Sequence, residues 1–194
     1  MIDSKIILII LIISIVITLT SYFIIVYNRL IALKNEVHKN WSNIEVLLKQ
    51  RNSELTKLLD SCKEYMKYEQ ETFEKIIKAR NSLTLASDNK DLSALGKAEI
   101  ELRMGFSKLL ALAENYPDLK TNTVFINLQH RISELEESIS DRREFYNESV
   151  NLNNITIEQF PSNIIAHNFG FKDFELLKFN DEETKDIRIN FDKK

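Results

Sequence analysis

The sequence predicts an all-α protein in which an N-terminal transmembrane helix leads into a long-helix antiparallel bundle; four helices account best for the pattern, and a three-helix variant stays open. Three observations carry this reading. Ile6 to Tyr27 is a run of 22 residues without a charge. Only three Gly and two Pro occur in 194 residues, which leaves little material for the tight turns of a many-stranded protein. Apolar residues then return at three- and four-residue steps along most of the remaining chain, the period of one face of a helix. The layout that follows is an anchor over 1–27, a helical bundle over 28–160, and a short C-terminal capping element with a charged tail over 161–194.

At 1.5 Å rise per residue the uncharged run reaches roughly 33 Å, enough to cross a hydrocarbon core of about 30 Å. A cleaved signal peptide has an apolar core of about 7 to 15 residues followed by small residues, whereas this run ends in Phe23-Ile-Ile-Val-Tyr27. It therefore reads as a retained, single-pass anchor. The hydroxyls of Ser14, Thr18, Thr20 and Ser21 can bond back to the helix backbone, and Tyr22 and Tyr27 suit the membrane–water interface.

From Asn28 onward no Gly or Pro interrupts an amphipathic pattern, so the spanning helix is expected to continue into the bundle. Leu30, Leu33, Val37, Trp41, Ile44, Leu48, Leu55, Leu58, Cys62, Tyr65, Phe73, Ile76 and Leu83 form one stripe, with Arg51, Glu69 and Arg80 on the same seam. One helix from Asn28 to Ser87 would be about 90 Å long, so a break is expected. Asn52-Ser53 is the predicted place, because both residues favour helix caps over interiors and Arg51 sets a charge on the seam just before them. The expectation is one helix ending near Gln50 and another from about Ser53 to Leu85.

A polar turn, Ser87 to Asp91, precedes a third stripe of Leu92, Leu95, Leu102, Phe106, Leu109, Ala113 and Tyr116. Gly96 and Gly105 each cost that helix about 1 kcal/mol relative to Ala, which close helix approach would explain. Pro117 forces Tyr116 out of the helical region, and Thr121 or Asn122 can cap what comes next. Phe125, Leu128, Ile132, Leu135, Ile139, Arg142, Tyr146, Val150, Asn153 and Ile157 make the last long stripe. After Phe160-Pro161 a short element, Ser162 to Phe169, is stopped by Gly170; Phe171, Phe174 and Phe179 follow, an aromatic group suited to capping the bundle or, as a second use, to the membrane interface. The tail from Asn180 is charged and expected to be mobile.

The search for chemistry is mostly negative. The formal charge of -3 arises from 26 basic and 29 acidic residues, interspersed, so no basic stripe faces a nucleic acid. Glu-x-x-His pairs, which place two ligands on one face of a di-iron bundle helix, do not occur around His38, His130 or His167. No histidine pairs at i,i+4 for zinc, and no Gly-rich loop or nucleophile elbow is present. The one cysteine, Cys62, lies on the apolar seam and reads as a small hydrophobe. Three Asn-x-Ser/Thr patterns fall in predicted helices and read as chance. No catalytic, metal-binding or cofactor-binding residue is assigned, and no enzyme activity is expected. The candidate structural or interaction residues are Trp41, Arg51, Glu69, Arg80, Tyr116, Pro117, Arg142 and Tyr146. Trp41 should be buried against the last long helix. A half-buried charge must find a partner, so Glu69 is expected to meet a seam arginine, Arg142 first.

These residues carry a resemblance. Tyr27-Asn28-Arg-Leu30, Asn35-Glu-Val37, Trp41-Ser42-Asn-Ile44 and Lys49-Gln-Arg51 are similar to the opening signature of the LemA family of bacterial membrane proteins. Ala79-Arg80, Ala113-Glu114-Asn-Tyr116-Pro117-Asp118-Leu119-Lys120, Arg142-Arg143, Tyr146-Asn147 and Phe160-Pro161 continue it over about nine tenths of the chain. The chain departs from the family where Thr56 replaces a usual proline, Glu64 a glycine and Tyr68 a histidine. The resemblance implies an N-terminal membrane anchor and an antiparallel helical bundle, without supplying an activity.

The functional expectation is a membrane-anchored interaction or scaffolding module, with a ligand-responsive signalling or sensor input module as the alternative from another class. Its partners would be the lipid bilayer and at least one protein, with homo-oligomerisation open and nucleic acid excluded. Lys5 stands alone before the span against Arg29, Lys34 and Lys39 after it, and an excess of Lys/Arg marks the cytoplasmic side. The bundle is therefore expected to be cytoplasmic, at the cell membrane.

Overall fold

The computed structural model describes residues 4–178, and these form six helices: α1 (Ser4–Lys63), α2 (Gln70–Asp88), α3 (Leu92–Ala113), α4 (Pro117–Lys120), α5 (Thr123–Glu158) and α6 (Ser162–Asn168). The chain is all-α, and no strand occurs among the described residues. Contacts divide it into two units. One combines the residues up to Trp41 with Phe145–Glu175, the other Ser42–Glu144 with the described residues from Leu176 on. Phe179 and the tail expected to be charged and mobile lie outside the described residues.

In the first unit, α1 begins as a helix that is apolar on every side. Its large apolar residues from Ile6 to Ile25 each expose 39 to 64 % of their surface, and the helix is long and apolar enough to cross a membrane. Thr18 and Thr20 donate their hydroxyls to the carbonyls of Ser14 and Val16 at 2.9 and 2.8 Å, so these polar groups need no outside partner. Burial starts at Val26 and Leu30, which pack with Ile165 and Ala166 of α6. Asn154 holds the segment after α6 by accepting from the Phe174 N–H at 3.0 Å and donating to the Phe174 carbonyl at 2.9 Å.

In the second unit four helical stretches run up and down. Asn52 and Thr56 of α1 meet Thr84 and Arg80 of α2 respectively, a descending register that sets α2 antiparallel to α1. Tyr65 meets Asn122, and Glu54 meets Arg131, so α5 also opposes α1. The core is the expected stripes: Leu48, Leu55, Leu58, Ile76, Leu83, Leu102, Phe106, Leu109, Ile132 and Ile139 are buried. Asp91 caps α3 by accepting from the Ala94 N–H at 2.9 Å. Asn122 caps α5, accepting from the N–H groups of Val124 and Phe125 at 2.8 and 3.3 Å, and satisfies donors the helix itself cannot.

The expected break at Asn52-Ser53 is overturned, because α1 is continuous from Ser4 to Lys63. The features that argued for a break are engaged sideways instead. Arg51 is paired across the bundle, and Asn52 donates its side-chain amide to Thr84 Oγ1 at 3.2 Å instead of competing for its own backbone. With Thr rather than Pro at position 56, its N–H is retained and its hydroxyl donates to the Asn52 carbonyl at 2.9 Å. The predicted helix from Ser53 to Leu85 is instead split at 64–69. There the N–H groups of Tyr65 and Met66 both donate to the Cys62 carbonyl, at 3.1 and 2.8 Å, and Met66 is wholly buried. The turn drives Met66 inward where a continued helix would have carried the seam to Glu69.

Gly105 marks a close approach of α2 and α3, since a Cβ there would stand 2.9 Å from Ile76 Cγ1, whereas one on Gly96 would meet only the Lys178 carbonyl at an ordinary 3.6 Å. Both positions gain helix propensity on substitution by Ala, by about 1 kcal/mol. Chemical denaturation should therefore show Gly96→Ala as stabilising by up to about 1 kcal/mol and Gly105→Ala as destabilising; equal stabilisation by both would remove the close approach.

Candidate functional site

The polar centre of the second unit is a buried ionic cluster. Arg51 projects from α1 with its side chain 3 % exposed, and its two terminal nitrogens donate to the two oxygens of Glu99 on α3 at 2.6 and 2.7 Å. Arg143 on α5, 11 % exposed, approaches Glu99 Oε1 at 3.0 Å. The planar fork of an arginine matches a carboxylate in two parallel bonds, the strongest form of this contact. Three helices thus converge on one carboxylate.

Burial alone would lower the Arg51 pKa, but its hydrogen bonds to Glu99 and the charges of Glu99 and Glu136 outweigh this and hold it above its ordinary value. Burial likewise pushes Glu99 up, yet the Arg51 hydrogen bonds and the charges of Arg51, Arg143 and Arg103 bring it down to about 2. Glu99 is therefore ionised throughout the physiological range and has no proton to donate there. Glu136 moves the other way: burial, helped by the charge of Glu99, raises its pKa against the pull of Arg51, Arg103 and Arg143. Among the described residues no group of His, Cys, Asp and Glu could hold a metal ion. Cys62 is pushed up to about 12 by burial, which leaves it a thiol at neutral pH.

The residues singled out from the sequence fall into separate places. Trp41 is buried, its ring 5.7 Å from Tyr146 in an edge-on contact, and the Tyr146 hydroxyl donates to the Glu175 carbonyl at 3.1 Å; this pair belongs to the first unit. Arg51 is in the ionic cluster. Arg80 donates to Thr56 Oγ1 at 2.6 Å. Pro117 opens α4 at its first turn, where a missing N–H is harmless. The Tyr116 hydroxyl donates to Glu69 at 3.4 Å. Glu69 therefore meets a tyrosine, and the expected pairing with Arg142 is a correction: Arg142 is exposed and Arg143 holds the inward position. The turn at 64–69 removes Glu69 from the seam on which that pairing was drawn.

Glu99 was missed altogether. The signal was partial: the third stripe steps from Leu95 to Leu102 through either Ala98 or Glu99, and both are buried. A cleft of about 630 Å³ lies in the first unit, lined by Ile157, Glu158, Asn163, Ala166, His167, Phe171, Lys172 and Asp173.

A carboxylate held below its unfolded pKa contributes stability above the unfolded value and loses it as pH falls through the folded one. Glu99 should therefore stabilise the fold in full above about pH 4.5 and lose the contribution on the way down to about 2. Urea titrations of the wild type and Glu99→Gln should show a gap that is constant near neutrality and closes over that acid window; a gap that is absent at neutral pH would place the carboxylate in solvent.

Comparison with known proteins follows the same outline. The LemA family model matches residues 40–191. A protein named LemA from Metamycoplasma hominis is 28 % identical over 168 residues, covering 86 % of this chain and 76 % of the relative. Two proteins of Paramagnetospirillum magneticum, named magnetosome proteins MamQ 1 and MamQ 2, are each 25 % identical over 175 residues, with 78 % of this chain and 64 % of the relative covered. The alignment to the family spans the α1 segment that carries Arg51, all of α2, α3 and α5, and the Tyr116-Pro117 turn between them. The chain belongs to the LemA family.

Proposed function

We propose that this LemA-family chain is a membrane-anchored interaction or scaffolding protein without catalytic activity, held by a single pass of Ile6 to Tyr27 and presenting its bundle on the cytoplasmic side of the cell membrane. The observation that carries the reading is the ionic cluster. The polar side chains best placed for chemistry in the bundle interior, Arg51, Glu99 and Arg143, face one another. A buried charge engaged in this way fixes helix register and leaves the outer surface for partners. That surface carries isolated apolar points, Tyr68 at 94 % exposure, Met104 at 69 % and Leu85 at 63 %. The expected partners are the bilayer and a protein, with a second copy of the chain as one form the protein partner can take.

A ligand-responsive input module is the second reading, and the mixed polar and apolar cleft beside α6 is what favours it. The two readings separate by experiment. A photo-crosslinking residue at Tyr68, activated in the native membrane, should capture a discrete protein band. If instead nothing is captured and a small molecule raises the stability of the full chain by more than about 1 kcal/mol, as linkage requires of a true ligand, the input module replaces the scaffold. Sidedness is checked with Lys120→Cys in a Cys62→Ser background: a membrane-impermeant thiol reagent should label it only after lysis, and labelling of intact cells would contradict the cytoplasmic assignment.

A further inference from the structure

The first unit leaves an apolar surface at the foot of the anchor. Phe160 is 79 % exposed, Ile164 54 % and Phe169 54 %, an unusual group for a surface facing water. Their height relative to the anchor can be read from contacts. The Phe169 ring lies 5.7 Å from Phe23 and 5.0 Å from Tyr27, and Phe171 lies 6.1 Å from Tyr27. Ile165 and Ala166 pack on Val26 and Leu30, and Ile157 joins the same cluster. α5 runs antiparallel to α1 here, with Tyr146 against Trp41 and Ile157 on the cluster that holds Val26 and Leu30. Extending α5 beyond Ile157 brings Phe160 to about the level of Val26.

Phe23 lies about 6 Å deeper along α1 than Tyr27 at 1.5 Å per residue. If Ile6 to Tyr27 spans the bilayer, a ring packed beside Phe23 cannot be in water. We infer that Phe160, Ile164 and Phe169 form a membrane-interface foot, in which the end of α5 and α6 rest in the headgroup and upper acyl region of the same leaflet from which α1 emerges. The depth fits that of interfacial helices, which bury their apolar face about 5 to 10 Å into this boundary. The polar residues of the same hairpin suit the headgroup layer: His167 and Lys172 line the adjoining cleft with Glu158 and Asp173, offering both signs of charge to a zwitterionic lipid. From sequence alone these aromatics suit a cap for the bundle first. Their contacts put Phe169 and Phe171 on the anchor, and their exposure leaves the outer faces of Phe160 and Phe169 for lipid.

The inference rests on the reading of Ile6 to Tyr27 as a span, and one experiment tests the two separately. The full chain, with Trp41→Phe to remove its own tryptophan, is reconstituted in phosphatidylcholine vesicles whose lipids are brominated either near the glycerol backbone or near the chain end. Single tryptophans are introduced as Phe169→Trp, Phe160→Trp, Ile15→Trp and Phe145→Trp. Phe169→Trp and Phe160→Trp should lose fluorescence chiefly to the shallow bromines, Ile15→Trp chiefly to the deep ones, and Phe145→Trp to neither. Quenching of Ile15→Trp without quenching of Phe169→Trp and Phe160→Trp would overturn the foot while leaving the span intact. Absence of quenching at Ile15→Trp would overturn the span and the foot with it. Using two reporters in the foot means that a local disturbance by one substitution does not decide the outcome.

Discussion

Arg51 and Glu99 meet in two parallel hydrogen bonds inside the second unit, and much of the surrounding architecture follows from what that pair requires. Removing two charges from water is expensive, and the attraction between them offsets the cost only in good geometry. The fork of Arg51 must therefore lie in the plane of the Glu99 carboxylate, which ties the rotation and height of α1 to those of α3. Arg143 then brings α5 to the same carboxylate. A shift of any of these helices by one residue would leave a charge facing hydrocarbon. Apolar stripes alone tolerate slippage more readily, since one leucine can replace another in a groove.

The same pair explains why α1 runs on where its local sequence argues for an end. Asn52 and Ser53 carry a weak preference for caps, typically a matter of about 1 kcal/mol. Against it stand a pairing that holds Arg51 in place, the Asn52 to Thr84 hydrogen bond and the burial of Leu55, Leu58 and Leu59 immediately after. Tertiary contacts outweigh the local signal. The chain instead turns at 64–69, where Met66 finds a buried site and Tyr65 and Met66 share the Cys62 carbonyl.

Helix class, the polar cap at Asn122 and most of the buried stripe residues were legible because each depends on spacing and local chemistry. What was not legible depends on which residue faces which. Arg142 and Arg143 are adjacent, and three- and four-residue steps admit either as the successor of Ile139; only the presence of Glu99 opposite selects Arg143. Glu99 itself was hidden twice, by its type, since a glutamate in a helix is ordinarily read as solvated, and by its neighbour, since the apolar Ala98 completes the step from Leu95 to Leu102 equally well. Trp41 was the easier case: a large ring on a seam has to be buried whichever neighbour it finds, and here it finds Tyr146. The aromatics after Phe160 showed their apolar character in the sequence, but their relation to Phe23 and Tyr27 is a long-range contact with no local trace.

The claim at the centre of this account is that the ionic cluster acts as one structural unit. A double-mutant cycle on the full chain tests it directly, with Arg51→Met, Glu99→Leu and the two combined, read by equilibrium denaturation at neutral pH. Each single change leaves a buried partner without its main counter-charge and should cost about 3 to 5 kcal/mol. Glu99→Leu should cost the more, because it strips Arg51 and Arg143 of the carboxylate they share. The double variant should be less destabilised than the sum of its parts by well over ~0.5 kcal/mol. Strictly additive losses, or a Glu99→Leu protein as stable as the wild type, would contradict the account.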